Sequence, residues 1–149
     1  MWFLNKIANP FVCFILRSPF HKMMSDSVVL ITYRGRKSGK TYSLPVNYVQ
    51  VEKTIYIVPG MPEQKTWWRN LRGGAAVTLR LYGKSVSGSA TLLEGDVEAA
   101  SEALRHYLKR FPPSAKLHEV RLEADGSCNA EDLQKAAQSL ILVKVELDQ

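Results

Sequence analysis

The segment Arg34-Gly-Arg-Lys-Ser-Gly-Lys40 sets four cations within seven residues, interleaved with two glycines and a hydroxyl. Fixed positive charge beside backbone N–H groups that no bulky side chain screens is the chemistry of anion binding, with phosphate or carboxylate as the partner. Alone, such a turn reads as a solvated hairpin loop; its neighbours argue for more. Ser43-Leu-Pro-Val-Asn-Tyr48 follows on the next apolar run, and Lys65-Thr-Trp-Trp-Arg-Asn-Leu71 sets two adjacent tryptophans among two cations and an asparagine. Neighbouring side chains on a helix point about 100° apart, so at most one of these rings faces a core squarely. The other is free for a ligand, the N-terminal segment or a second subunit.

No other motif announces a reaction. The chain has no Gly-x-Ser-x-Gly elbow, no Walker loop, no dinucleotide fingerprint after the first strand and no paired carboxylates in an apolar setting. Cys13 and Cys128 stand far apart, and His21, His106 and His118 are scattered, so no metal site is expected and no disulfide framework forms. A reducing cytoplasm follows as the expected location. When side chains carry no chemistry of their own, a bound cofactor does, and the protein supplies binding, orientation and electrostatics. The net charge of +6 fits an anionic partner: a phosphorylated cofactor, a nucleic acid or an anionic membrane surface.

The elements that must position these residues follow from periodicity. Residues 2 to 8 and 11 to 22 read as short helices broken near Asn9-Pro10, too interrupted by Lys6, Pro10, Arg17, Pro19 and Lys22 to span a bilayer. Their apolar side covers the domain or lies on a membrane with Lys6, Arg17 and Lys22 at the head groups. Val28 to Tyr33, Thr41 to Val51 and Thr54 to Val58 read as antiparallel strands, with a short helix from Thr66 to Leu71 and a hairpin of Ala76 to Tyr82 with Ser85 to Leu93. Asp96 is the expected N-cap of a helix through Arg110, ended by Pro112-Pro113; a second helix covers Ala130 to Ser139. Leu140 to Leu147 closes the set as a sixth strand. The expectation is a mainly β fold with helices, a small barrel in a single domain over 1–149: an apolar N-terminal segment over 1–24 and a barrel over 28–147 with inserted helices.

Together, Gly35-Arg-Lys-Ser-Gly39, the proline on the next strand and the aromatic pair before Asn70-Leu71 resemble the deazaflavin-dependent nitroreductase and quinone reductase family in order and spacing. The resemblance covers roughly residues 10 to 95, with a similar closing strand. It implies an FMN-binding-protein-like split β-barrel and binding of the deazaflavin coenzyme F-420. Arg36, Lys37, Ser38 and Gly39 would hold its anionic tail, with Arg34 and Lys40 adding charge. Pro45 and Val46 would lie beside the ring. Pro59, Gly60 and Lys65 before the aromatic turn, with Trp67, Trp68 and Asn70, would close the site. The chain departs from the family in having Tyr42 and Ser43 where an arginine often stands, and Val58-Pro-Gly-Met-Pro62 where a Ser-Lys-Gly-Gly loop is common.

The implied activity is hydride transfer from the reduced deazaflavin to a quinone, nitro compound or similar electron-poor small molecule. No catalytic acid or base is assigned; Tyr42, Tyr48 and Asn70 are candidate hydrogen-bond donors to the anion that forms on the acceptor. Flavin mononucleotide (FMN) is the alternative cofactor, and a non-catalytic barrel binding a cofactor or lipid is the alternative function. No nucleic-acid motif supports the basic charge as a nucleic-acid surface. A monomer or homodimer is expected, cytoplasmic, with peripheral membrane contact through residues 1–22.

Overall fold

The computed structural model describes residues 27–60 and 66–148. The expected N-terminal helices and Lys65 lie outside them.

Alternation of buried and exposed side chains sets the first strand, β1 (Val28–Arg34), with Val29, Ile31 and Tyr33 facing the core. It is followed by β2 (Thr41–Asn47), β3 (Val49–Val51), β4 (Thr54–Ile57), β5 (Ala75–Leu81), β6 (Lys84–Leu92) and β7 (Val143–Leu147). These form one antiparallel sheet in the order β2-β1-β5-β6-β7-β4-β3. The sequence suggested six strands because Thr41 to Val51 reads as one apolar run. That run is cut at Tyr48: β2 pairs with β1, whereas β3 pairs with β4 at the opposite edge.

This order dictates the shape. In a flat sheet, six inter-strand spacings would put β2 and β3 roughly 29 Å apart. Asn47 and Val49 are separated by two Cα steps, which reach roughly 7 Å. The sheet therefore curls until its edges meet, giving the split barrel. Tyr48 is buried at the crossing, and its backbone N–H donates to the Ser27 carbonyl at 3.1 Å. Pro45 is tolerated because β2 is an edge strand, where a missing N–H need not break a ladder on both sides.

Val29, Ile31, Ile55, Ile57, Leu79, Val143 and Val145 fill the barrel, with Trp68 and Leu71 plugging it. A second core lies under three helices, α1 (Val97–Arg110), α2 (Ser114–Leu117) and α3 (Ala130–Ser139), around Leu104, Leu108, Leu133 and Leu142. The caps are those the residue types favour: Asp96 accepts from the Ala99 N–H and Asn129 from the Asp132 N–H, each at 3.0 Å. Helix α2 fills a stretch whose pattern gave no clear reading.

Gly88 of β6 leaves no room for a side chain beside β7: a Cβ there would stand 2.8 Å from the Glu146 carbonyl oxygen and 2.9 Å from a Val145 methyl. Gly88→Ala should therefore destabilise the protein by about 1–3 kcal/mol through overpacking against backbone. Urea unfolding should show a lower midpoint with an unchanged slope; an unchanged midpoint would mean the two strands part without cost.

Candidate functional site

The basic turn is a built structure. The Gly35 N–H donates to the Lys40 carbonyl at 2.8 Å, the Gly39 N–H to the Gly35 carbonyl at 2.9 Å, and the Lys40 N–H to Ser38 Oγ at 3.2 Å. Gly39 has φ +70°, which a side chain would resist, and a Cβ on Gly35 would sit 2.8 Å from Ser38 Oγ and 2.9 Å from the Tyr42 ring. Across the opening, Trp67–Leu71 form a 3₁₀ helix. Asn70 joins the two: its Oδ1 accepts from the Arg36 N–H at 2.9 Å, and its Nδ2 donates to the Trp67 carbonyl at 2.8 Å. The Arg36 guanidinium also donates to the Arg69 carbonyl at 3.3 Å. Asn70 thus acts as a strut that holds the turn against the helix.

Between turn and helix opens a cleft of about 730 Å³, lined by Tyr33, Arg36, Lys37, Ser38 and Tyr42 on one side and by Arg69, Asn70 and Arg72 on the other. Arg72 forms a two-pronged ion pair with Glu94, at 2.8 and 3.2 Å. Among the described residues no carboxylate pairs with Arg36, Lys37 or Arg69. Arg36, Lys37 and Arg69 thus line this cleft with no anionic partner among the described residues. Arg34, Gly39 and Lys40 do not line it. Arg34 follows Tyr33 on β1, so strand alternation turns it to the other face.

A second cleft of about 630 Å³ opens along the other half of β2. Its walls are Leu44, Pro45 and Val46 from β2, Val58, Pro59 and Gly60 after β4, the Trp67 ring, and Tyr107, Ser114 and His118 from the helical layer. Most of these surfaces are apolar. Burial pushes the Tyr107 phenol up, offset in part by its hydrogen bond with Asn47, and holds the His118 imidazole below its ordinary pKa. Both groups are therefore uncharged at neutral pH.

The aromatic side chains stand between the clefts. Tyr33 stacks on Tyr42 with ring centroids 5.8 Å apart and meets Trp67 at 5.9 Å. Tyr42 OH lies 3.2 Å from Ser38 Oγ in the basic turn. Burial first, and the neighbouring Tyr42 second, raise the Tyr33 pKa, so this wall also stays neutral. The adjacent tryptophans divide as helical geometry requires: Trp67 faces the second cleft, whereas Trp68 is buried in the barrel core beneath the Arg69 and Arg72 guanidinium groups, 5.5 and 5.6 Å from its ring.

Of the residues singled out in the sequence, Arg36, Lys37, Ser38, Tyr42 and Asn70 come together at the basic cleft, and Pro45, Val46, Pro59, Gly60 and Trp67 at the apolar one. Tyr48 and Trp68 belong to the barrel core. The sequence reading missed Arg69 and Arg72, although Arg69 sits inside the aromatic motif. It also missed Tyr107, Ser114 and His118, which reach the cleft only through helix packing. No cluster of potential metal ligands occurs among the described residues. Asn70→Ala removes both ends of the strut. It should cost roughly 1–3 kcal/mol and loosen the turn, read as faster amide hydrogen exchange at Arg36; unchanged exchange there would show that the turn holds itself.

A family model described as F420H(2)-dependent quinone reductase matches residues 18–116, more than half of the 149-residue chain. Among solved structures, one described as a domain-swapped dimer is 22% identical, with 80% of each chain covered and a TM-score of 0.58. An F420-H2 dependent reductase is also 22% identical, covering 80% of this chain and 93% of its own, with a TM-score of 0.55. A protein described in connection with 5-nitroimidazole antibiotic resistance, from Bacteroides thetaiotaomicron, is 15% identical, covering 87% of this chain and 78% of its own, with a TM-score of 0.51. No curated protein matches. The structural likenesses establish the split-barrel fold.

Proposed function

This chain belongs to the F420H(2)-dependent quinone reductase family, and on that premise we propose that its two clefts divide the coenzyme between them, anionic tail in the basic cleft and deazaflavin ring in the apolar one. The protein is a deazaflavin-dependent oxidoreductase using coenzyme F-420, and its substrate is a small electron acceptor of the quinone type. The observation that carries the division is the succession of the two clefts at β2, with Tyr42 lining the first and Leu44, Pro45 and Val46 the second, and with Tyr33 in ring contact with both Tyr42 of the first and Trp67 of the second. A polyanion needs several donors, and Arg36, Lys37 and Arg69, which meet no carboxylate among the described residues, are a donor set of that kind. A flat conjugated ring needs apolar walls, and Pro45, Val46 and Trp67 provide them.

When bound, the reduced coenzyme supplies the hydride. The chain's own work is positional and electrostatic. Arg36, Lys37 and Ser38 anchor the charged end and so set how far the ring reaches along β2. Pro45 and Val46 provide the cleft wall that the ring lies against, and Trp67 closes its edge, excluding water from the transfer. Asn70 keeps turn and aromatic helix in register, so that anchor and ring support move as one body. Gly39, Arg34 and Lys40, which stand away from the cleft wall, contribute turn shape and long-range field.

The acceptor enters the apolar cleft from the side of α2. Quinones of long side chain reside in bilayers, so the proposal includes a cytoplasmic protein, monomeric or dimeric, that meets the inner membrane face through residues 1–22. No helix among the described residues is long and apolar enough to cross a membrane.

Replacing Arg36 and Lys37 together by alanine should weaken coenzyme affinity by at least about tenfold, since each charge-assisted bond to an anion contributes roughly 1.5–3 kcal/mol. Quenching of Trp67 fluorescence during titration with the coenzyme reads this directly, with circular dichroism as the control for folding. Unchanged affinity in a folded double variant would remove the basic turn from the site.

A further inference from the structure

The apolar cleft contains a polar group that its walls do not satisfy. His118 caps α2, where its backbone N–H donates to the Ser114 carbonyl at 3.2 Å, and its side chain lines the cleft with Pro45, Val46, Trp67 and Tyr107. The residue is half-buried, and neither ring nitrogen meets a hydrogen-bond partner among the described residues. Tyr107 is the other titratable group in the cleft wall among the described residues; burial raises its pKa, and Asn47 beside it lowers it in part. A neutral imidazole presents one N–H donor and one bare nitrogen. The ring nitrogens of His118 are not among the buried polar atoms without a partner, so solvent reaches them; a ligand that fills the cleft displaces that solvent and keeps the donor satisfied only if it brings an oxygen acceptor of its own.

We infer that His118 is a catalytic residue of the acceptor half of the reaction, donating its ring N–H to the carbonyl or nitro oxygen of the electron acceptor. The inference rests on the reading that the apolar cleft receives the ring and the acceptor. The electron pair of the hydride enters the acceptor, which is reduced as the coenzyme is oxidised, and negative charge gathers on the acceptor oxygen. The His118 N–H stabilises that charge where it develops, and a solvent proton then completes the reduction, so the acceptor gains one hydride and one proton. An uncharged donor suits this place, because an imidazolium would have to be desolvated in an apolar wall before any anion formed. Burial, the cause of the lowered pKa, keeps the ring in that uncharged state.

The test pairs His118→Phe, which keeps a flat ring without a donor, with His118→Gln, which restores an N–H. Turnover of menadione, a soluble naphthoquinone, should fall by about a hundredfold in the Phe variant and recover in part in the Gln variant, while coenzyme affinity stays at the wild-type value in both. A second readout is independent of turnover. In ¹⁵N-labelled wild-type protein saturated with oxidised coenzyme, menadione should shift the His118 ring nitrogens and 2-methylnaphthalene, its hydrocarbon counterpart, should not. Wild-type menadione turnover in His118→Phe, or ring nitrogens that ignore menadione, would overturn the assignment of His118. Failure of the wild-type protein to bind the coenzyme at all would instead overturn the underlying reading of the clefts.

Discussion

The structure turns on one connection. Between Asn47 and Val49 the chain passes from one edge of a seven-stranded sheet to the other through the single residue Tyr48. A sheet wired this way cannot lie flat, and the cost of bending it is met by the interior it closes, where Val29, Ile31, Ile55, Ile57, Leu79, Val143 and Val145 are essentially removed from water. At about 25 cal/mol per Å² of apolar surface, each such side chain favours the closed form by roughly 1.5–3 kcal/mol. Closure is thus what the wiring demands and what burial stabilises.

Both clefts follow from that closure. The edge strand β2 has a strand partner on one side only, so no ladder continues from its other side. Its beginning is held by the cationic turn and its end by the crossing at Tyr48. The 3₁₀ helix packs against β6 and sends Trp67 into the cleft wall beside Leu44, Pro45 and Val46 and Trp68 into the barrel core. One strand therefore presents a charged recess and an apolar recess in succession, separated by three aromatic rings. The helical layer then adds a wall to the apolar recess, bringing Tyr107 and His118 opposite Pro45 and Val46. A ligand charged at one end and flat at the other matches this sequence of surfaces, and that match is the ground for the proposed division of the coenzyme between the clefts.

Local features were legible in the sequence. The cationic turn, the Asp96 cap and the two longer helices each depend on residues a few positions apart, and they appear where the pattern placed them. The break at Tyr48 was not legible, because Pro45-Val-Asn-Tyr-Val49 keeps an apolar, strand-like pattern across it and the cause of the break lies in partners far along the chain. Arg34 shows a signal that was available: alternation from the buried Tyr33 turns it away from the cleft. His118 shows one that was not, since a histidine after two prolines reads as a surface residue until packing of α2 brings it to the cleft. Arg69 and Arg72 reach the site on the aromatic helix and just beyond it, and a cation near tryptophans does not by itself disclose which way it faces.

The central claim is that charge recognition and ring recognition occupy different clefts. The most direct test compares the affinity of intact coenzyme F-420 with that of a deazaflavin lacking the phosphate and acidic tail, by tryptophan quenching over a range of salt concentrations. The account predicts that the intact coenzyme binds more tightly at low salt and loses that advantage steeply as salt rises, while the tail-less compound binds weakly with little salt dependence. Equal affinities with equal, shallow salt dependence would contradict it, because the basic cleft would then contribute nothing to holding the ligand.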